Sequence, residues 1–275
     1  MNICIILTEQ LITILRGIND MKMIFMGRKK QSAELLKWTV EQRIEVVAVC
    51  TDSQFENSPT AAMARQLDIP VISMEEAEEY SNNNEVDLVT SYLYWRVIKK
   101  PLIENPKYGC INVHPAILPD WKGCGGYNIA ILKKLPQWGV TAHYVNETVD
   151  TGPFIRVNRF DFDYRTATVK SLDKITQDEL VKLYKEIILE VKEKGRLETL
   201  DIDNSQGTYI SRKQMNDMKI ITDEDLESED LDLKVRAFWF PPYDGAYIEK
   251  NGKKYTLVDK EILNTLVDED TTAPF

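Results

Sequence analysis

The sequence predicts an α/β protein: a doubly wound, mostly parallel sheet with a small C-terminal β-hairpin appendage. Three observations lead there. Between residues 22 and 91 short apolar runs alternate with amphipathic segments at the spacing of strand–helix–strand units, the pattern of a parallel sheet with crossover helices. A long amphipathic stretch, Thr168 to Glu193, follows and suits a helix closing one face of that sheet. Near the C-terminus Asn251-Gly252 separates two strand-like runs, the strongest short-range hairpin signal.

Taken in order, Lys22 to Met26 reads as a buried strand, Gly27 as a turn and Ser32 to Gln42 as a helix with Leu35, Leu36 and Val40 inward. Only one glycine sits in that turn, so the dinucleotide fingerprint is absent and nicotinamide or flavin chemistry is not expected. Strands are expected at Glu45 to Cys50, Pro70 to Ile72 and Asp87 to Ser91, with helices at Pro59 to Leu67 and Met74 to Tyr80 between them. Ile111 to Val113 is a further strand, Gly125 to Leu132 a helix, Val140 to Val145 a strand and Phe154 to Val157 a returning strand. Leu172, Ile175, Leu180, Leu183, Ile187 and Val191 anchor the long helix, and Gly195 fits its stop. A linker with a short strand at Gly207 to Ile210 leads through acidic Asp223 to Asp232, a solvated face before a helix, to the hairpin Tyr247 to Lys250 and Lys253 to Val258. The division expected is an extension over 1–20, a catalytic domain over 21–200, a linker and hairpin subdomain over 201–265, and an acidic, disordered tail over 266–275.

The 34 Lys and Arg against 44 Asp and Glu leave a net charge of −10. That is a poor basis for gripping a phosphate backbone, so nucleic acid is not an expected partner. Four cysteines without metal-ligand spacing and two histidines in all argue for reduced thiols in a cytoplasmic protein and against a metal site. The apolar run Ile3 to Leu7 is interrupted by Glu9 and Gln10 and lacks a basic flank, so neither a signal peptide nor a membrane span is expected; Met21 or Met23 could be the functional start.

The chemistry gathers around Ile111-Asn112-Val113-His114-Pro115-Ala116-Ile117-Leu118-Pro119-Asp120-Trp121-Lys122-Gly123, answered by Gly139-Val140-Thr141-Ala142-His143 and by Asp150-Thr151-Gly152. Asn112 and His114 are two apart, so on a strand their side chains share one side, and Pro115 turns the chain out of the ladder. Taken singly, Asn-x-His is usually a polar strand end and Asp-x-Gly a turn. In this order the motifs resemble the folate-dependent formyltransferase family, with its N-x-H-P, Leu-Pro loop, G-V-T-x-H and D-x-G pattern, over about residues 21 to 260. Ala116 stands where that pattern has Ser, Lys122 where it has Arg, and Gly125-Gly126 is added.

The resemblance implies a Rossmann-like formyltransferase fold with 10-formyltetrahydrofolate as co-substrate and no metal. It makes His114 the general base, Asn112 the donor to the developing oxyanion and Asp150 the partner of His114; His143 is then a pocket-wall or structural residue rather than the base. Tyr92, Leu93, Tyr94, Trp95, Arg96 and Val97, at the carboxyl end of a strand, are either aromatic core or a ligand wall by themselves. The resemblance makes them, with Val149, the folate pocket. On the acceptor side it implicates Lys122, Gly123, Tyr127, Asn128, Arg212, Lys213, Phe240 and Tyr243, with a helix starting at Gly125 beside Lys122 to hold a pyrophosphate. The small appendage looks like that of N-formyltransferases acting on nucleotide-linked amino sugars of the dTDP-4-amino-4,6-dideoxyhexose type for surface polysaccharide (O-antigen) synthesis. Methionyl-tRNA formyltransferase is the alternative, and a binding module that has lost catalysis a second. Trp239, Phe240, Tyr243, Tyr247 and Tyr255 are more aromatic surface than a lone hairpin buries, so a second copy or the nucleotide base should cover some of it; the resembling sugar enzymes, whose hairpin commonly serves as the dimer contact, make a homodimer the expectation.

Overall fold

The computed structural model describes residues 21–51 and 57–264. Expectations for the N-terminal extension and for the acidic tail lie outside the described residues. In chain order the elements are β1 (Lys22–Gly27), α1 (Lys30–Glu41), β2 (Glu45–Cys50), α2 (Pro59–Gln66), β3 (Val71–Ile72), α3 (Met74–Asn83), β4 (Leu88–Tyr92), α4 (Lys100–Glu104), β5 (Cys110–His114), β6 (Trp121–Gly123) and α5 (Gly126–Leu132). Then come β7 (Gln137–Tyr144), β8 (Phe154–Asp161), α6 (Val169–Lys194), β9 (Thr208–Ile210), α7 (Arg212–Asp217), α8 (Asp223–Leu226), α9 (Leu231–Phe238), β10 (Tyr247–Lys250), β11 (Lys253–Thr256) and α10 (Lys260–Asn264).

Seven strands form one mostly parallel sheet in the order β3-β2-β1-β4-β5-β7-β8. β1 pairs in parallel with both β2 and β4, and β4 with β5. The order reverses between β1 and β4, and such a reversal opens a crevice at the carboxyl ends of the strands. β10 and β11 pair antiparallel across Asn251-Gly252, Lys250 facing Lys253.

Local chemistry sets the helix ends. Ser58 caps α2 by accepting from Ala61 N–H at 3.1 Å, with Pro59 at the first helical position. Ser73 and Glu76 form a reciprocal capping box on α3. Ser32, expected at a helix start, lies inside α1 instead, because its hydroxyl bonds Lys29 O at 2.7 Å and Thr60 at 2.8 Å. Gly195, at φ 79°, ends α6.

Two compact units are interleaved along the chain. One holds the described residues up to His114 with Ala142–Arg156 and Val181–Ile202; the other holds Pro115–Thr141, Val157–Leu180 and the described residues from Asp203 onward. A core of the first unit gathers Ile24, Met26, Met74, Val89, Ile98 and Leu102. In the second, Trp138, Leu172, Ile210, Leu233, Phe238 and Trp239 pack together. Trp239 and Tyr247 do not need a second copy to cover them, being 8% and 7% exposed within the single chain; Tyr243 and Tyr255 remain open at 69% and 50%.

Candidate active site

β5 places Asn112 beside Ser91 of β4 and ends at His114, where Pro115 removes the next ladder donor. Asp150 arrives by a loop that its own side chains hold. The Asn146 Oδ1 accepts from Thr148 N–H at 3.1 Å, from the Thr148 hydroxyl at 3.2 Å and from the Thr151 hydroxyl at 2.8 Å. Inside this loop Asp150 takes the left-handed φ of 56°, which Asp tolerates better than most residues. Gly152 follows because a Cβ there would lie 1.7 Å from the Tyr144 carbonyl oxygen. The result sets Asp150 Oδ1 3.4 Å from His114 Nδ1 and 3.9 Å from His143 Nε2. The Asn112 amide nitrogen is 3.1 Å from His143 Nε2.

His143 is buried, and burial pulls its pKa from 6.5 down to about 4 against the opposing pull of the Asp150 carboxylate. A histidine held neutral in the fold and free to protonate when unfolded stabilises the protein above its unfolded pKa. That contribution is lost as pH falls from about 6.5 to about 4, and its full size is on the order of 3 kcal/mol. Urea unfolding from pH 7 to pH 4 should show this decline, and His143→Phe should remove it from that window. An unchanged slope in the variant would place the titration elsewhere.

A cleft enclosing about 540 Å³, open mouth included, lies along the same residues in the first unit. Its walls include Tyr94, Trp95, Arg96, Val97 and Val149, with Asn112, His143 and Asp150 among its polar lining. Trp95, Val97 and Val149 are 47%, 58% and 46% exposed, unusually open for such large apolar groups. Arg96 is steadied by Glu75, 2.8 Å away. Two expected pocket residues do not line the cleft. The Tyr92 ring is fully buried, edge-on to Tyr184 at 6.1 Å, and Leu93 serves the turn with a left-handed φ of 54°. Cys50 is an inert thiol, pushed up to about 12 by burial.

The acceptor-side candidates belong to the second unit, and several are engaged in holding it together. Lys122 is not an open cation: its amine donates to the carbonyls of Asn204 and Gln206 at 2.6 and 2.7 Å. Its expected anion role at the start of α5 is reduced accordingly. Gly123, at φ 81°, lets β6 run beside β9, since a Cβ would meet Ile210 O at 2.6 Å. Tyr127 packs edge-on to Trp138 and Asn128 donates to Ala237 O at 2.7 Å. Arg212 is exposed at the start of α7, where Lys213 pairs with Asp217 at 2.6 Å. Phe240 and Tyr243 stack at 5.6 Å.

Asn146, Tyr144 and Trp138 are supporting residues that the sequence reading passed over. Asn146 had a legible signal, an Asx residue two before Thr148 in a turn-rich stretch. Tyr144 had none: its importance is that its carbonyl accepts from His143 at 2.8 Å while its hydroxyl bonds both polar backbone atoms of Leu197.

Among solved structures, a 4-N formyltransferase from Francisella tularensis superimposes with a TM-score of 0.75 at 19% identity, covering 86% of this chain and 96% of that one. An N-formyltransferase from Helicobacter canadensis, solved with folinic acid and dTDP-3-aminofucose, gives 0.69 at 22% identity, covering 85% and 86%. At these identities the likeness speaks for the fold. In sequence the chain is similar to the methionyl-tRNA formyltransferase of Thermotoga neapolitana, 25% identical over 90% of this chain and 82% of that protein. The model of the formyl transferase family matches residues 21–188, more than half of the chain. The chain belongs to the formyl transferase family and is a formyltransferase.

Proposed function

We propose that this protein transfers a formyl group from 10-formyltetrahydrofolate to the amine of a nucleotide-linked amino sugar of the dTDP-4-amino-4,6-dideoxyhexose type, a step in making surface polysaccharide. The observation that carries the reading is the meeting of Asn112, His143 and Asp150 at a cleft walled by exposed flat and aliphatic side chains, with His114 directly behind them against Asp150. Trp95, Val97 and Val149 offer the open apolar faces that a planar pterin would cover, beside the polar groups that would fix its orientation. 10-Formyltetrahydrofolate supplies the one-carbon unit. As the amine nitrogen bonds to the formyl carbon, His114 accepts its proton, Asn112 donates an N–H to the charge growing on the formyl oxygen, and Asp150 holds His114 in line; the bond from the formyl carbon to the folate nitrogen then breaks, and that nitrogen takes the electron pair and a proton to leave as tetrahydrofolate. An oxyanion donor of this kind contributes about 3 kcal/mol.

For the acceptor, the net charge of −10 disfavours tRNA, and the open face of Tyr243, stacked on a partly buried Phe240, suits a nucleotide base. The solved relative with dTDP-3-aminofucose points the same way. The methionyl-tRNA relative keeps a second reading open, methionyl-tRNA as acceptor. Incubation with formyl donor and dTDP- or UDP-amino sugars should add one formyl mass to the sugar nucleotide. No salt-sensitive binding of tRNA is expected, whereas a tRNA reader loses affinity steeply with salt. Efficient formylation of methionyl-tRNA would replace the sugar assignment.

A homodimer fits the remaining exposed apolar groups of the appendage, Tyr255, Val258 and Leu263, on a sheet of only two strands. Light scattering on the full chain should give twice the monomer mass, and Tyr255→Asp should halve it. A monomeric wild type sinks the interface.

A further inference from the structure

His143 has no step of its own in the proposed chemistry, yet it sits 2% exposed against the residue that has one. Its Nδ1 lies 2.8 Å from the Tyr144 carbonyl oxygen. A carbonyl can only accept, so Nδ1 carries the proton. Burial keeps the ring neutral, which leaves Nε2 a bare acceptor. The atom of Asn112 that faces Nε2 at 3.1 Å must therefore be the amide nitrogen, and the amide oxygen points the other way. A charged His143 would demand the reverse, because Nε2–H would donate and Asn112 would have to turn its oxygen over. Asp150, 3.9 Å from Nε2, pulls toward that charged state, and the neighbouring His114 opposes it along with burial.

We propose that His143 is a positioning residue: the Tyr144 carbonyl fixes its tautomer, and that tautomer orients Asn112 so that one N–H is tied to His143 and the other is left for the formyl oxygen. The inference rests on the reading of Asn112 as the oxyanion donor. The Tyr144 peptide is itself immobilised. Its N–H donates to Pro153 O at 2.9 Å, its ring carries Arg196 at 4.3 Å, and its hydroxyl is bonded at Leu197. Gly152 belongs to the same chain of cause. A methyl group there would strike the Tyr144 carbonyl oxygen at 1.7 Å, so the glycine of the Asp-x-Gly turn preserves the acceptor that sets the tautomer. Gly152, Tyr144, His143 and Asn112 thus form one relay of hydrogen-bond polarity.

The protein has two histidines, so 15N-histidine labelling gives two imidazoles, and His114→Asn assigns them. At neutral pH the His143 ring should show a proton-bearing Nδ1 and a bare Nε2. A bare Nδ1, or a doubly protonated ring, overturns the proposal. This measurement needs no activity, so it stands even if formyl transfer itself fails in the wild type, a result that would instead remove the oxyanion role of Asn112.

Kinetics supply the second arm. His143→Phe should lower kcat by about 10- to 100-fold, with KM for the formyl donor within about twofold. In an Asn112→Ala background the same substitution should cost less than about threefold, because the group it positions is gone. Equal losses in the two backgrounds would mean a general structural role and overturn the assignment, as would loss of the acidic limb of the kcat–pH profile, which would make His143 a proton carrier. If the Phe variant does not fold, the tautomer of the wild type decides the matter alone.

Discussion

Turnover should fall by at least about 100-fold when His114 is replaced by asparagine, the scale of a lost general base, while the protein still folds. The argument is geometric. His114 stands at the last position of β5, its side chain 11% exposed, with Asp150 Oδ1 at 3.4 Å from Nδ1. That contact puts a carboxylate beside the imidazolium that forms when His114 takes up the amine proton. His114 does not line the cleft itself, so KM for the formyl donor should move little. Asp150→Asn keeps the shape of the loop and removes the charge, and a loss of similar size is expected because the imidazolium then forms without its counter-charge. Initial rates across donor concentration, with circular dichroism to check folding, separate these effects. Near-normal turnover in either variant would exclude the proposed mechanism.

How far the sequence disclosed this site depended on the range of the interactions involved. Asn112 and His114 were legible because a strand has a period of two and Pro115 marks where it ends. The sheet was legible for the same reason, each strand being a compact apolar run bounded by turn residues. Asp150 could be named only through the resemblance, since its approach to His114 depends on a left-handed residue and on three hydrogen bonds gathered by Asn146. No periodicity announces such a loop.

Short elements escaped for a related reason. β6 is three residues long and exists by pairing Trp121 with Thr208 and Gly123 with Ile210 across a long stretch of chain, although its partner β9 was itself expected as a short strand at Gly207 to Ile210. α4 and α10 are five residues each, too brief for an apolar stripe to show. α7 did carry a readable mark, the Ser211–Gln214 capping box. Lys122 misled for a different reason: a cation before glycine reads as an anion site, but the carbonyls that engage it come from residues 204 and 206, far along the chain. Tyr92 misled because an aromatic run does not reveal which rings turn inward, and its neighbour Tyr184 lies on α6.

Trp138→Ala should lower the unfolding free energy by about 3–5 kcal/mol, the usual cost of emptying a fully buried tryptophan site. Trp138 is 0% exposed and packs edge-on to Tyr127 with ring centres 6.3 Å apart. Gly126 makes the space for it, since a Cβ there would come within 2.8 Å of the indole. Its Nε1–H donates to Pro115 O at 3.2 Å, so the indole holds the peptide that directly follows His114 in the chain. The two contributions can be separated. Trp138→Phe keeps most of the apolar burial but leaves the Pro115 carbonyl without this donor, a change of about 1–3 kcal/mol. Urea unfolding followed by circular dichroism measures both, and the alanine variant should lose clearly more than the phenylalanine variant. A loss below about 1 kcal/mol for Trp138→Ala would mean that the second core does not depend on this ring. Equal losses for the two variants would assign the stabilisation to the hydrogen bond rather than to the filled volume.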